Sequence, residues 1–252
     1  MQSVNAGMEN NIEKIFEDEY IVVINKPAGL IVHSDGRNEE ASVADWVLEH
    51  YPEVRDIGEP WVSPQGEVIP RPGIVHRLDR TTSGVMIIAK TQESFESLKE
   101  QFKDRLVEKT YDALVYDHPK NDEGLIEMEI GRTKKKPRKW IALFAHGKKR
   151  AAITQWFVEG RYVDPETQVP VTHMRISPKT GRTHQIRVHL KAIHHPIVCD
   201  HLYATNKPCI LGLSRPALHA REISFMNQGE RVAFEAPLPE DMRQAFDRLS
   251  KL

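Results

Sequence analysis

Apolar residues fall along this chain in two rhythms. Tyr20–Asn25 (YIVVIN) is a short β-branched run ending in a turn signal and Val85–Ala89 an apolar run, the pattern of buried strands. Ser42, with Asp45 three residues on, predicts the start of a helix carrying Val43, Trp46 and Val47 to about Tyr51, where Pro52 stops it. Thr91 caps a second helix whose apolar face is Phe95, Leu98 and Phe102, spaced i, i+3 and i+7. From Lys109 to Arg175 the blocks shorten into TYDALVY, GLIEMEI, WIALF, AAITQWFVE and VTHMRIS, read as strands joined by turns. A helix with Ile186, Leu190 and Ile193 on one face follows Pro178–Gly181. Strands come next, near 218–225 and 231–235, and then a last helix from about Pro239. Residues 55–73, rich in Pro and Gly, read as a long loop or short hairpin, of the kind that is usually functional or mobile. With no repeat and no clear linker, the pattern predicts an α+β fold. It consists of a mixed, largely antiparallel sheet with flanking helices, in one domain over 1–252 with its core at about 12–240.

Composition adds constraints. Hydrophobic residues at 40% and charged residues at 28% suffice for a globular core. No apolar run reaches the roughly 18 residues of a membrane span, and the first twenty residues lack the basic and apolar regions of a secretory signal. Cys199 and Cys209 match no zinc or redox spacing and read as free thiols, so the expected location is the cytoplasm. The net charge of −1 is uninformative, but its distribution is not. Residues 1–59 hold thirteen acids and four Lys or Arg, whereas 131–150 hold nine bases and no acid. That block, with Lys134, Lys135, Lys136, Arg138 and Lys139, is either an anion-binding face or a solvated basic hairpin.

Three segments place charge among apolar, turn-rich surroundings. In Gly73–Gly84 (GIVHRLDRTTSG), Asp79 stands between Arg77 and Arg80 just before a buried strand. Flanking cations keep such a carboxylate ionised, as a nucleophile or base; alternatively, it caps a turn and pairs with Arg for stability. In Thr180–Leu190 (TGRTHQIRVHL), Arg182, Thr183 and Gln185 fall at an expected helix start, where free N–H groups suit an anion. His184, Arg187 and Lys191 share a face of that helix, which is otherwise an ordinary amphipathic helix with a basic side. Tyr111 alternates with Ala113 and Val115 and either fills the core or presents a ring on which a base stacks.

Together these segments resemble the RluA-type pseudouridine synthases. The resemblance runs through Asn25-Lys26-Pro27-Ala28-Gly29 with His33, His76-Arg77-Leu78-Asp79 with Thr82-Ser83-Gly84, Lys109-Thr110-Tyr111, and Thr180 to His189. It continues through His195-Pro196-Ile197 and the stretch from Asp200 to Tyr203. It implies a sheet in two halves flanking a catalytic cleft, and an enzyme that isomerises uridine to pseudouridine in RNA. Asp79 matches the family's catalytic aspartate, Arg187 the arginine paired with it, and Tyr111 the tyrosine that stacks on the uracil. Arg77 matches the arginine that fills the gap left by the flipped nucleotide. Arg80, Arg182, His184 and the 134–139 cations are the further RNA contacts expected. The reaction breaks N1–C1′, turns the base and joins C5 to C1′, so no cofactor or metal is expected. With 24 residues ahead of Asn25, where the first motif begins, the S4 RNA-binding domain that many members carry is not expected there. RNA selection is therefore expected of the catalytic domain. Ribosomal RNA is preferred to transfer RNA as partner, and no obligatory protein partner is evident.

Two rivals remain. A metal-dependent phosphoesterase would use His184, His189, His194, His195, Asp200 and His201, but these show no recognised ligand pattern. An inactive RNA-binding module of the same fold would carry a substitution at Asp79, Tyr111 or Arg187, and none is present.

Overall fold

The computed structural model describes residues 12–34, 40–63, 66–133, 139–142 and 146–251. Its elements run β1 (Glu13–Glu17), β2 (Ile21–Lys26), α1 (Val43–His50), β3 (Trp61–Val62), β4 (Val68–Ile69), β5 (Ser83–Ala89), α2 (Gln92–Lys103) and β6 (Glu108–Tyr116). There follow β7 (Glu123–Glu127), β8 (Ile130–Arg132), β9 (Trp140–Ile141), β10 (His146–Arg150), β11 (Ile153–Val163), β12 (Pro170–Pro178) and α3 (Gln185–Ala192). The chain closes with β13 (Leu218–Asn227), β14 (Glu230–Glu235), α4 (Glu240–Arg248) and β15 (Ser250–Lys251).

Local chemistry explains the helix boundaries. Ser42 and Asp45 form a reciprocal capping box at the start of α1, each satisfying a backbone N–H of the other. Thr91 does the same for α2 with Ser94. Pro52 ends α1 as expected, by opening a 3-10 turn over Pro52–Val54. Residues 55–73 contain the small hairpin β3–β4.

One ten-stranded sheet organises the chain in the order β1-β2-β5-β13-β6-β12-β11-β15, with β14 beside β13 and β7 beside β11. Its paired strands are antiparallel except β5 and β13, so the sheet is mixed and largely antiparallel. Two cores divide it. One gathers β2, β5, α1 and α2 around Val23, Ile87, Val47 and Leu98; the other gathers β6, β12, α3 and α4 around Leu114, Met174, Leu190 and Met242. Tyr111 packs against both. Where β5 meets β13, Gly84 has φ +123°, and a Cβ there would run into the Ala220 carbonyl, so only glycine permits this approach.

Cys199 and Cys209 are joined in a disulfide, with Cα atoms 4.6 Å apart, which corrects the expectation of free thiols. Cys199 takes a left-handed conformation (φ 59°) that turns the chain, and residue 209 returns beside it, a closure that spacing alone does not reveal.

Candidate active site

The seam between the two cores opens as a pocket of about 110 Å³, with Asp79, Tyr111, Arg182, His184 and Arg187 in its wall and Leu218 and Ile186 as apolar lining. Asp79 reaches it from the turn before β5, where three successive carbonyls are tied down. Thr82 N–H donates to the Asp79 carbonyl (3.0 Å) and Gly29 N–H to the Arg80 carbonyl (2.8 Å). The Arg215 guanidinium donates to the Thr81 carbonyl (3.1 Å). Buried Lys26 also donates to the Arg80 carbonyl, at 3.3 Å, and to the carbonyls of Pro27 and Leu30. Burial pushes its ammonium down to about 7. The turn is therefore held by groups from β2, the loop after it and the segment before β13.

The cation facing Asp79 is Arg187, whose Nη1 lies 3.5 Å from Asp79 Oδ2. Its Nε and Nη2 donate to Asp200 at 2.7 and 2.8 Å, a two-point ion pair in which both side chains are buried. Burial works against the charge of Arg187, but the hydrogen bonds and charge of Asp200, then the charge of Asp79, outweigh it and raise its pKa. Asp200 also accepts from the N–H groups of Leu202 and Tyr203, both at 3.1 Å, which satisfies a carboxylate that is 1% exposed.

His184 stands on the other flank, its Nε2 4.0 Å from Asp79 Oδ2 and its Nδ1 2.9 Å from the Tyr203 hydroxyl. Burial lowers its pKa, against the opposing pull of Asp79, so it is neutral near pH 7. The Tyr203 ring lies 5.1 Å beneath the Arg187 guanidinium. Burial, then the charge of Asp79, raises the pKa of the Tyr111 phenol, so that ring enters the pocket as a neutral flat face.

The structure thus brings together Asp79, Tyr111, Arg187, Arg77, Arg182 and His184. Arg80 instead turns outward into an ion pair with Glu40, and Arg77 is exposed, so sequence neighbours do not supply the charge that meets Asp79. The expected anion site at the start of α3 also changes. The helix begins at Gln185 after His184 in a left-handed conformation (φ 55°), and the Gln185 side chain takes the Arg182 N–H at 3.0 Å. Lys139 sits 5.6 Å from the Tyr203 ring, while Lys134, Lys135, Lys136 and Arg138 lie outside the described residues. Asp200 and Tyr203, which hold Arg187 and His184 from behind the pocket, appear in the sequence only within the matching stretch after His195 and, for Asp200, among the candidates of the metal rival. The His cluster of the metal rival does not converge: His189 meets Thr154 and the Met128 carbonyl, His195 the Tyr116 carbonyl, and His201 the Ser214 carbonyl.

A family model described as RNA pseudouridylate synthase matches residues 20–192. A Synechocystis protein named as an uncharacterized RNA pseudouridine synthase is 34% identical over 90% of this chain and 66% of its own. The ribosomal large subunit pseudouridine synthase D of Zymomonas mobilis is 33% identical over 97% of this chain and 75% of its own. The chain thus spans about two thirds to three quarters of the length of these relatives. Among solved structures, human RNA pseudouridylate synthase domain containing 1 superposes with a TM-score of 0.73 at 23% identity, covering 99% of this chain and 92% of that one, which shows a shared fold.

Proposed function

This chain belongs to the RluA-type RNA pseudouridylate synthase family, and from that premise we propose that it isomerises uridine to pseudouridine in structured RNA with Asp79 as the reacting carboxylate. One observation carries the assignment to Asp79. Its carboxylate is partly exposed in the pocket, 3.5 Å from an arginine whose other N–H groups are fixed by buried Asp200.

Breaking N1–C1′ leaves the uracil electron-rich and the sugar carbon electron-poor. A carboxylate held at C1′ stabilises the charge developing there, and its placement in a sheltered site before reaction lowers the barrier. Tyr111 presents a neutral ring on which the freed base stacks while it turns. Base stacking on an aromatic side chain is worth about 1–3 kcal/mol. Joining C5 to C1′ then expels the C5 hydrogen as a proton to solvent, while N1, freed from the sugar, takes up a proton, so that the product is an isomer of uridine. A uridine must leave its stack to enter, at a cost of roughly a few kcal/mol, and Arg77, exposed at the pocket mouth, takes the vacated place. The whole reaction fits one catalytic domain, since the sheet and both its cores meet at this site.

We assign large-subunit ribosomal RNA as the substrate, supported by the relatives named as synthases of that RNA. Tritium release from transcripts labelled at uracil C5 tests both levels. Release from ribosomal but not transfer RNA is the expected result; release from transfer RNA alone overturns the substrate, and release from neither overturns the reaction.

A further inference from the structure

Beside the Asp79 pocket, and sharing Tyr111 with it, lies a second groove of about 580 Å³, whose lining among the described residues contains no Asp or Glu. Arg71, Lys103, Arg105, Lys109 and Lys179 face it, and Arg77 and Arg182 stand at the seam it shares with the Asp79 pocket. Among the described residues none of these seven cations is in an ion pair.

This is more than a wet basic face. Nε of Arg71 is buried without a hydrogen-bond partner among the described residues, and its guanidinium lies 5.3 Å over the Trp61 ring. Nζ of Lys109 lies 5.6 Å from the Phe102 ring, on which His76 also stacks. Burial, then Arg77, lowers the pKa of Arg71, and burial, then Lys179, lowers that of Lys109. Partly buried like charges without counter-ions oppose folding unless an anion completes them. The structure keeps them beside the Asp79 pocket.

We infer that this groove binds backbone phosphates of the RNA strand next to the target uridine, so that the reacting nucleotide and its neighbour's phosphate straddle Tyr111. The assignment rests on the RNA-isomerase reading. Free inorganic phosphate offers the same chemistry, but the groove runs into the Asp79 pocket past Arg77, Tyr111 and Gly181, the continuity a polymer requires.

The test compares the protein with a Lys103→Gln, Arg105→Asn, Lys109→Gln variant. Lys103 and Arg105 are exposed, and Asn accepts the left-handed backbone of residue 105 (φ 63°). The probe is a fluorescein-labelled RNA hairpin with one loop uridine, titrated at increasing KCl, with phosphodiester or neutral methylphosphonate linkages flanking that uridine. Each phosphate that the protein neutralises contributes about 0.7 to the slope of log affinity against log salt for a single strand. The slope of the variant should be shallower by at least one such increment, and the neutral linkages should weaken the native protein more than the variant, which keeps Arg71, Arg77, Lys179 and Arg182. Lys103→Arg with Lys109→Arg should keep the native slope. An unchanged slope in the triple variant, or an equal weakening of both proteins by the neutral linkages, would overturn the groove assignment. Native binding with the full slope but no tritium release would overturn the isomerase reading and leave the groove standing.

Discussion

Asp200 takes two N–H groups of Arg187, at 2.7 and 2.8 Å, and leaves Nη1 turned toward Asp79 at 3.5 Å. The arginine facing Asp79 is thus held by a second carboxylate that the pocket does not expose. Removing one member of a buried pair costs about 3–5 kcal/mol, because the other charge is left uncompensated. Asp200→Asn should therefore lower the melting temperature and reduce turnover at saturating RNA more than it raises KM. An unchanged turnover in a folded Asp200→Asn protein would show that Arg187 needs no such support.

Tyr111 has no hydrogen bond from its hydroxyl among the described residues, and burial holds that group protonated. Its expected contribution is the ring. Tyr111→Phe should retain substantial turnover, whereas Tyr111→Ala should lose about 1–3 kcal/mol of stacking and slow the reaction accordingly. Steady-state tritium release on both variants decides; equal losses would assign a role to the hydroxyl.

Arg215 ties the Asp79 turn to the start of α4. It donates to the Thr81 carbonyl at 3.1 Å and to both oxygens of Asp241 at 2.7 and 2.9 Å. Arg215→Met leaves the carbonyls of Thr81, Pro216 and Leu218 without this donor, at about 1–3 kcal/mol for a buried group left unsatisfied. Asp241, 39% exposed, is partly rescued by water, so Asp241→Asn should cost less in denaturant midpoint. The reverse order would place the anchor in the ion pair instead of the carbonyls.

His76 predicts an acid limb of stability. Burial, then the charge of Lys109, pushes its imidazole down to about 3, and its Nε2 accepts the Ile87 N–H at 2.9 Å. Below about pH 6.5 the unfolded chain binds a proton that the folded protein refuses. This group's stability is therefore fully present above pH 6.5 and is lost as pH falls toward 3, at up to about 1.4 kcal/mol per pH unit. His76→Gln, which keeps an acceptor, should flatten that limb in urea titrations; an unchanged limb would assign it to other groups.

Legibility in the sequence follows locality. The all-buried β5 is visible as an apolar run, and α1 and α2 are visible because Ser42 and Thr91 advertise their caps. β1 (EKIFE) is not, since it is an edge strand of mixed polarity with mostly exposed residues. At the site, motif residues Asp79, Tyr111 and Arg187 are legible and do converge. The charges around them are not, because adjacency in sequence suggests Arg77 and Arg80 while the fold turns Arg80 to Glu40 and brings Arg187 from α3. Asp200 escapes for the same reason: its role exists only once α3 and the following loop lie side by side. The groove beyond Tyr111 draws its cations from the loop before β5, from α2 and the turn after it, from β6 and from the segment following β12, so no window of sequence shows it.

The central claim is that Asp79 carries the chemistry. Its most direct test is tritium release from C5-labelled ribosomal RNA by the native protein and by Asp79→Asn, with RNA affinity measured in parallel. The expected result is release by the native protein and none by the variant, with affinity nearly unchanged because the cationic groups remain. A variant that binds RNA and still releases tritium at the native rate would contradict the account.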